Sequence, residues 1–190
     1  MSNPELDAFA LAMRLARALD DAGVPYAIGG ALAFGVWGDP RGTHDVDINL
    51  FIEHHALDDA LNVLEGAGMT IDREAARVAD RGGDVIVGWH SCMRVDLFTP
   101  NIPFAWEAKN RVVRVRGPAG EAAYLSAESI AVFKLMFFRP KDILDVQKLI
   151  EVQGDALDVR YVRDWIVRMM GEGDERTIEL DRMTRRRPGS

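Results

Sequence analysis

The stretch Asp45-Val46-Asp47-Ile48-Asn49-Leu50-Phe51-Ile52 begins with an unbroken alternation of polar and aliphatic side chains. Such a period of two marks a strand with one buried face, because residues two apart project the same way. Val46, Ile48, Leu50 and Ile52 then share one face, and Asp45, Asp47 and Asn49 share the other. Asp is disfavoured in strands. Two carboxylates on one strand face stand about 7 Å apart at the backbone and repel each other. A fold for this chain must bury the aliphatic face in a core, and the acidic face reads either as holding a cation among the acids or as a solvated strand face with Asp45 in a turn.

The residues before this strand restrict what that cation serves. Val24–Ile28 reads as a short buried strand, Gly29-Gly30 as a tight turn and ALAFGVW as a brief helix packed on the sheet. Backbone N–H groups at such a turn can face a phosphate without an intervening side chain, although a plain strand-to-helix turn also uses glycine. No Gly-Lys-Ser/Thr follows, so this is not a P-loop. A divalent ion such as Mg²⁺ prefers carboxylate oxygens, and a two-metal site holds its ions only about 4 Å apart. A third carboxylate lies in MRVDLFT, where Val95 and Leu97 face one way and Asp96 the other. Asp96 needs a partner there: either an ion shared with Asp45 and Asp47, or an arginine such as Arg94.

The chain's 190 residues carry 23 basic and 30 acidic side chains, a net charge of −7. That disfavours indiscriminate binding to nucleic acid. Two local basic stretches stand out, Lys109 to Arg116 and Met183 to Ser190, each also readable as a solvated edge or a loose end. The single cysteine, Cys92, excludes an internal disulfide and a cysteine zinc cluster. The start has neither a basic region nor a signal core, and no apolar run is long enough to span a bilayer. A soluble, cytoplasmic chain without membrane contact is the expectation.

Helical spacing runs from Pro4 to Ala22, and HHALDDALNVLEGAG reads as another helix. DVIVGWH and MRVDLFT read as a hairpin, and RVVRVR as a further strand. From Ser126 onward the pattern is helical. The expected fold is α/β, a mixed sheet flanked by helices with a C-terminal helical appendage. Residues 1–120 are expected to form the core, 121–182 the helical region and 183–190 a loose tail.

Together these blocks resemble the nucleotidyltransferase superfamily that includes DNA polymerase beta. Its hydrophobic-Gly-Gly/Ser block looks like Ile28-Gly29-Gly30, its Asp-h-Asp-h block like Asp45-Val46-Asp47-Ile48, and its third carboxylate like Asp96. The closer likeness is to AbiEii-type and MenT-like toxin nucleotidyltransferases and their small relatives. Their Arg-x-Thr-x-Asp-x-Asp is matched by Arg41, Thr43, Asp45 and Asp47, and their helical Lys followed by Arg-x-Lys-Asp-x-x-Asp by Lys134 and Arg139 to Asp145. The second glycine stands where many members have Ser.

The resemblance implies an NTP-dependent nucleotidyltransferase of the EC 2.7.7 kind, using two Mg²⁺ ions, or Mn²⁺, held by Asp45, Asp47 and Asp96. It implies nucleotide contacts from Gly29, Gly30, Arg41, Thr43, Arg139 and Asp142. Lys134 would act catalytically as a point charge on a phosphate, contributing to nucleotide binding rather than to stability. Snorkelling to water is the bland alternative for Lys134, on a helix whose core stripe reads as Ile130, Phe133 and Phe137. Asp142 reads as an orienting partner of Lys134 or Arg139, or as a favourable charge at a helix start. Asp145 reads likewise, or as a partner of Lys148.

The expected acceptor is RNA, at the 3′ end of tRNA in a toxin-like activity, entering over Lys109 to Arg116, with a cognate antitoxin as an implied partner. The alternatives are a small-molecule hydroxyl as in antibiotic modification, a protein side chain, or a non-catalytic antitoxin or binding member. Tyr161 and Trp165 read as packing, and His44, His54, His55 and His90 as surface or loop residues.

Overall fold

A computed structural model describes residues 7–185. The chain divides into two compact units: residues up to Leu32 with Arg41–Leu125, and Ala33–Pro40 with the residues from Ser126 on.

The first unit is built on seven strands: β1 Tyr26–Ile28, β2 Asp45–Leu50, β3 Thr70–Ile71, β4 Ile86–His90, β5 Met93–Phe98, β6 Val113–Gly117 and β7 Gly120–Tyr124. Their order across the sheet is β3-β4-β5-β2-β1-β7-β6. The sheet is mixed, with β2 parallel to β5, β1 parallel to β7, and the remaining neighbours antiparallel. Alternation in β2 and β5 sends Val46, Ile48, Leu50, Val95 and Leu97 into the core, all fully buried. Helix α1, Ala8–Asp21, packs against β1, β2 and β7 through a stripe that includes Leu15 and Leu19. The N-cap Asp7 accepts the Phe9 amide, satisfying one of the donors left over at the helix start.

Helix α2, Gly30–Trp37, begins in this unit and continues into the second. Three further helices complete the first unit: α3 Leu57–Gly66, α4 Arg73–Gly82 and α5 Pro103–Asn110. Of these, α4 and α5, with the short strands β3 and β7, go beyond the sequence expectation. Asp72 caps α4 through the amides of Glu74 and Ala75, and Pro103 opens α5, where its missing N–H removes no helical bond.

The second unit contains α6 Ala127–Phe137, α7 Pro140–Gln153, α8 Val159–Met170 and α9 Glu175–Arg185. The loose tail expected from residue 183 is instead helical as far as Arg185, because Thr177, Leu180 and Met183 are buried at helical spacing. Residues 186–190 of that expectation, and the Pro4–Leu6 start of the expected first helix, lie outside the described residues. Phe137, expected in a core stripe, is 53% exposed, with the Arg139 guanidinium 5.0 Å from its ring centre. Tyr161 and Trp165 pack edge to face at 6.5 Å.

Ile48 lies directly behind the acidic face of β2. Ile48→Ala should lower unfolding stability by about 2–5 kcal/mol through lost burial and the residual cavity. Urea denaturation followed by circular dichroism measures it.

Candidate active site

Two rows cross the sheet at the acidic strand. Register pairs Asp47 on β2 with Asp96 on β5, and Asp45 with Arg94. The aliphatic residues between them are buried, so all four side chains lie on the other face of the sheet. The three carboxylates expected to share a site therefore share a face, on two adjacent strands spaced about 4.8 Å apart.

The cation that this crowding requires is present. Arg94 Nε donates to Asp96 Oδ1 at 2.7 Å. That hydrogen bond and the Asp96 charge hold the guanidinium above its ordinary pKa, and Asp45 and Asp47 add to the effect at longer range. Arg94 thus sits in the field of all three acids, and its side chain is 46% exposed. The Thr43 hydroxyl donates to the Asp45 carboxylate, which places Thr43 beside the acids. Arg41 lies exposed on the same connection into β2.

The glycine turn fits against Asp47. Gly29 N–H donates to the Asp47 carbonyl at 2.9 Å, extending the β1–β2 pairing by one step. Gly30 has φ of +52°, and a Cβ placed there would lie 1.8 Å from Asp47 Oδ2. Both the left-handed backbone and the carboxylate above it exclude a side chain at Gly30. Gly30 is needed by the packing of Asp47, and Gly29 by that of Asn49, whose Nδ2 would lie 2.7 Å from a Cβ there.

The donor set suits a hard divalent ion, being three carboxylates without sulfur or imidazole. Among the described residues, however, no three His, Cys, Asp or Glu side chains are arranged to hold a metal as they stand. Asp96 is turned to Arg94 and Asp45 to Thr43. The chemistry of the donor set fits a divalent ion, and in this arrangement Arg94 occupies Asp96 in its place.

The remaining expected site residues gather in the second unit. Lys134 on α6 reaches α7, its Nζ 2.5 Å from Asp145 and 3.5 Å from Asp142. Both acids are buried, and the Lys134 side chain is only 12% exposed. The same ammonium lies 5.5 Å from the centre of the Phe34 ring. Asp142 accepts the Arg139 backbone amide and a two-nitrogen fork from its guanidinium. Burial alone would raise the Asp142 carboxyl, but the Arg139 hydrogen bonds and the nearby cations outweigh it and leave the pKa below the ordinary value. Lys134 does not snorkel, and Lys148 pairs with Glu151 rather than with Asp145.

Two of the four cations in the basic stretch expected to receive RNA, Arg114 and Arg116, are paired with acids. Arg114 donates to Asp20 at 2.7 Å and to Glu121 at 3.0 Å, and Arg116 pairs with Glu121. Strands β2, β1 and β7 separate β6 from β5, placing Arg114 roughly 19 Å across the sheet from Asp96. Cys92 is exposed in the β4–β5 turn. His54 is exposed, but its Nδ1 lies 2.6 Å from the buried Asp80 carboxylate.

No protein-family model matches the chain, and no curated protein does. Among solved structures, it is similar to ANT(2″)-Ia in complex with adenylyl-2″-tobramycin, with a TM-score of 0.59 and 15% identity over 82% of this chain and 94% of that one. It is also similar to an antigenic nucleotidyltransferase-like protein from Paracoccidioides brasiliensis, with a TM-score of 0.55 and 16% identity over 93% of each chain. The chain has the nucleotidyltransferase fold. These likenesses bear on that fold and not on the toxin group within it.

Two substitutions probe the two charge clusters. Arg94→Gln removes the cation from among three carboxylates, so Mg²⁺ or Mn²⁺ should raise its melting temperature more than that of the unaltered chain, in melts run against EDTA. Lys134→Met, expected from the sequence to leave stability intact, should instead destabilise by about 3 kcal/mol, because it removes the ammonium that two buried carboxylates share. Chemical denaturation of that variant checks the reversal.

Proposed function

We propose that this protein transfers a nucleoside monophosphate from an NTP to a hydroxyl group on a small acceptor molecule. The observation that carries the reading is the acidic row Asp47–Asp96, with Asp45 beside it and Gly30 packed against Asp47. A chain with this fold and this constellation has the parts for in-line displacement at a phosphorus atom.

Asp45, Asp47 and Asp96 would hold divalent ions, which when bound supply neutralisation of the triphosphate and a lower pKa for the attacking hydroxyl. The amides at the start of α2 would donate to phosphate oxygens, Gly29 and Gly30 allowing their close approach. Thr43 positions Asp45, and Arg41 stands on the same connection as a second phosphate contact. The acceptor oxygen forms a bond to the α-phosphorus as the bond to the bridging oxygen of the β-phosphate breaks. Its proton passes to Asp96, and pyrophosphate leaves.

Two observations favour a small acceptor. ANT(2″)-Ia, 94% of which is covered by the likeness, is complexed with a nucleotidylated small molecule. Arg114 and Arg116, the strand arginines proposed to receive RNA, are already committed to Asp20 and Glu121. RNA remains a second reading because the Arg41-to-Asp47 block resembles that of enzymes acting on tRNA.

Incubating the protein with each labelled NTP and either tobramycin, glucosamine, total RNA or no acceptor tests the proposal. Transfer to a small hydroxyl compound, with pyrophosphate release that needs Mg²⁺, is expected. Labelling of RNA alone overturns the small-acceptor reading, and labelling of nothing overturns the transferase reading. Asp47→Asn should abolish pyrophosphate release, by at least about a hundredfold, while circular dichroism shows an intact fold.

A further inference from the structure

The two rows of the acidic face do not end at β5. Strand β4 pairs antiparallel with β5 so that Val87 stands opposite Asp96 and Trp89 opposite Arg94. The full rows therefore read Val87–Asp96–Asp47 and Trp89–Arg94–Asp45. Ile86 and Gly88 point into the core, so Val87 and Trp89 must point out, on the face that carries the acids. They are 37% and 46% exposed, among the few large apolar side chains left open to water.

Directly opposed residues of an antiparallel pair have their Cβ atoms about 5 Å apart. Val87 is thus an immediate neighbour of Asp96, and Trp89 of the arginine that holds it. Beyond them lies only β3, two residues long, with Thr70 opposite Trp89. The result is an apolar step about one ring wide, bounded on one side by charge and on the other by the sheet edge.

We propose that Val87 and Trp89 form the acceptor platform, taking the C–H face of a polyhydroxylated ring and presenting one of its hydroxyls to Asp96. This deepens the small-acceptor reading of the transferase and rests on it. The occupant follows from two features. An indole face beside an aliphatic side chain receives a ring by its flat, weakly polar side. Three carboxylates stand on the adjoining face beside the Arg94 guanidinium, an acidic surrounding that suits a neutral or cationic ring. Continuity with the acidic rows sets the platform on the Asp96 side, where the proposed reaction needs its nucleophile.

Trp89→Thr keeps strand propensity, and Trp89 is half exposed, so the variant should fold normally. Equilibrium titration with tobramycin or glucosamine, followed by tryptophan emission and calorimetry, should give a saturable change in the unaltered protein. In Trp89→Thr that emission change should vanish and the dissociation constant rise about tenfold, while the dissociation constant for ATP stays within twofold. Val87→Ser should show a smaller rise in the same direction. Equal affinity of either ring compound for both proteins overturns the platform, as does the absence of saturable binding or a Trp89-dependent response to an RNA trinucleotide alone. Failure of the transferase reading is separate: ring binding that depends on Trp89 without transfer of any nucleotide removes the reaction and leaves the platform.

Discussion

Repulsion among three carboxylates on one face of a sheet is the constraint around which the first unit is arranged. Asp45, Asp47 and Asp96 cannot disperse, because the strands carrying them are locked in register by the buried aliphatic residues between them. Slipping either strand by one residue would turn its acids into the core and its aliphatics into water. The charge must therefore be balanced in place. Arg94 balances it, and as a two-residue neighbour of Asp96 on the same strand face it cannot leave the neighbourhood. A half-exposed guanidinium held mainly through one nitrogen is an exchangeable cation, unlike the buried Lys134 ammonium. The proposed divalent ions would take over a role that the chain already fills from its own residues.

The same crowding explains the glycine turn. Gly30 lies so close beneath the Asp47 carboxylate that no side chain fits, and Gly29 continues the β1 ladder onto the Asp47 carbonyl. A phosphate-binding turn and a turn that merely accommodates an aspartate would look alike in sequence. Here the turn accommodates the aspartate, and the phosphate contact belongs to the proposed function.

Legibility in the sequence followed the strength of the local pattern. Strands β2 and β5 were readable to their faces because aliphatic and polar residues alternate strictly, and α6 to α8 were readable from spacing. Strand β7 was not: GEAAY lacks β-branched residues, and its last three residues are buried together, so no alternation marks it. Helix α9 is mostly charged, with only Thr177, Leu180 and Met183 turned inward, and its last turn from Met183 to Arg185 was read as the start of a loose tail. The acidic residues of the site were legible because carboxylates in a strand violate propensity. Arg94 was legible only as one of two rival partners for Asp96. Val87 and Trp89 were invisible as candidates, since exposed apolar residues on a strand become informative only when the register shows what stands opposite them.

Lys134 illustrates the converse, a residue legible by type and misread by energetics. A lysine at the edge of an apolar helical stripe has two inexpensive fates, reaching water or binding a ligand, and both leave the fold indifferent to it. The third fate requires acids from another helix, and only the packing of α7 on α6 brings Asp142 and Asp145 to its ammonium. Once the acids are buried, the ammonium becomes part of the core, since removing it takes away a charge that both carboxylates share. Asp142 ties the cluster to local structure as well, because it also closes the first turn of α7 through the Arg139 amide. Charge in the second unit is thus closed upon itself, whereas charge on the acidic sheet face is balanced by a cation open to exchange. That difference is why the proposed exchange of one cation for another is assigned to the sheet face rather than to the helical cluster.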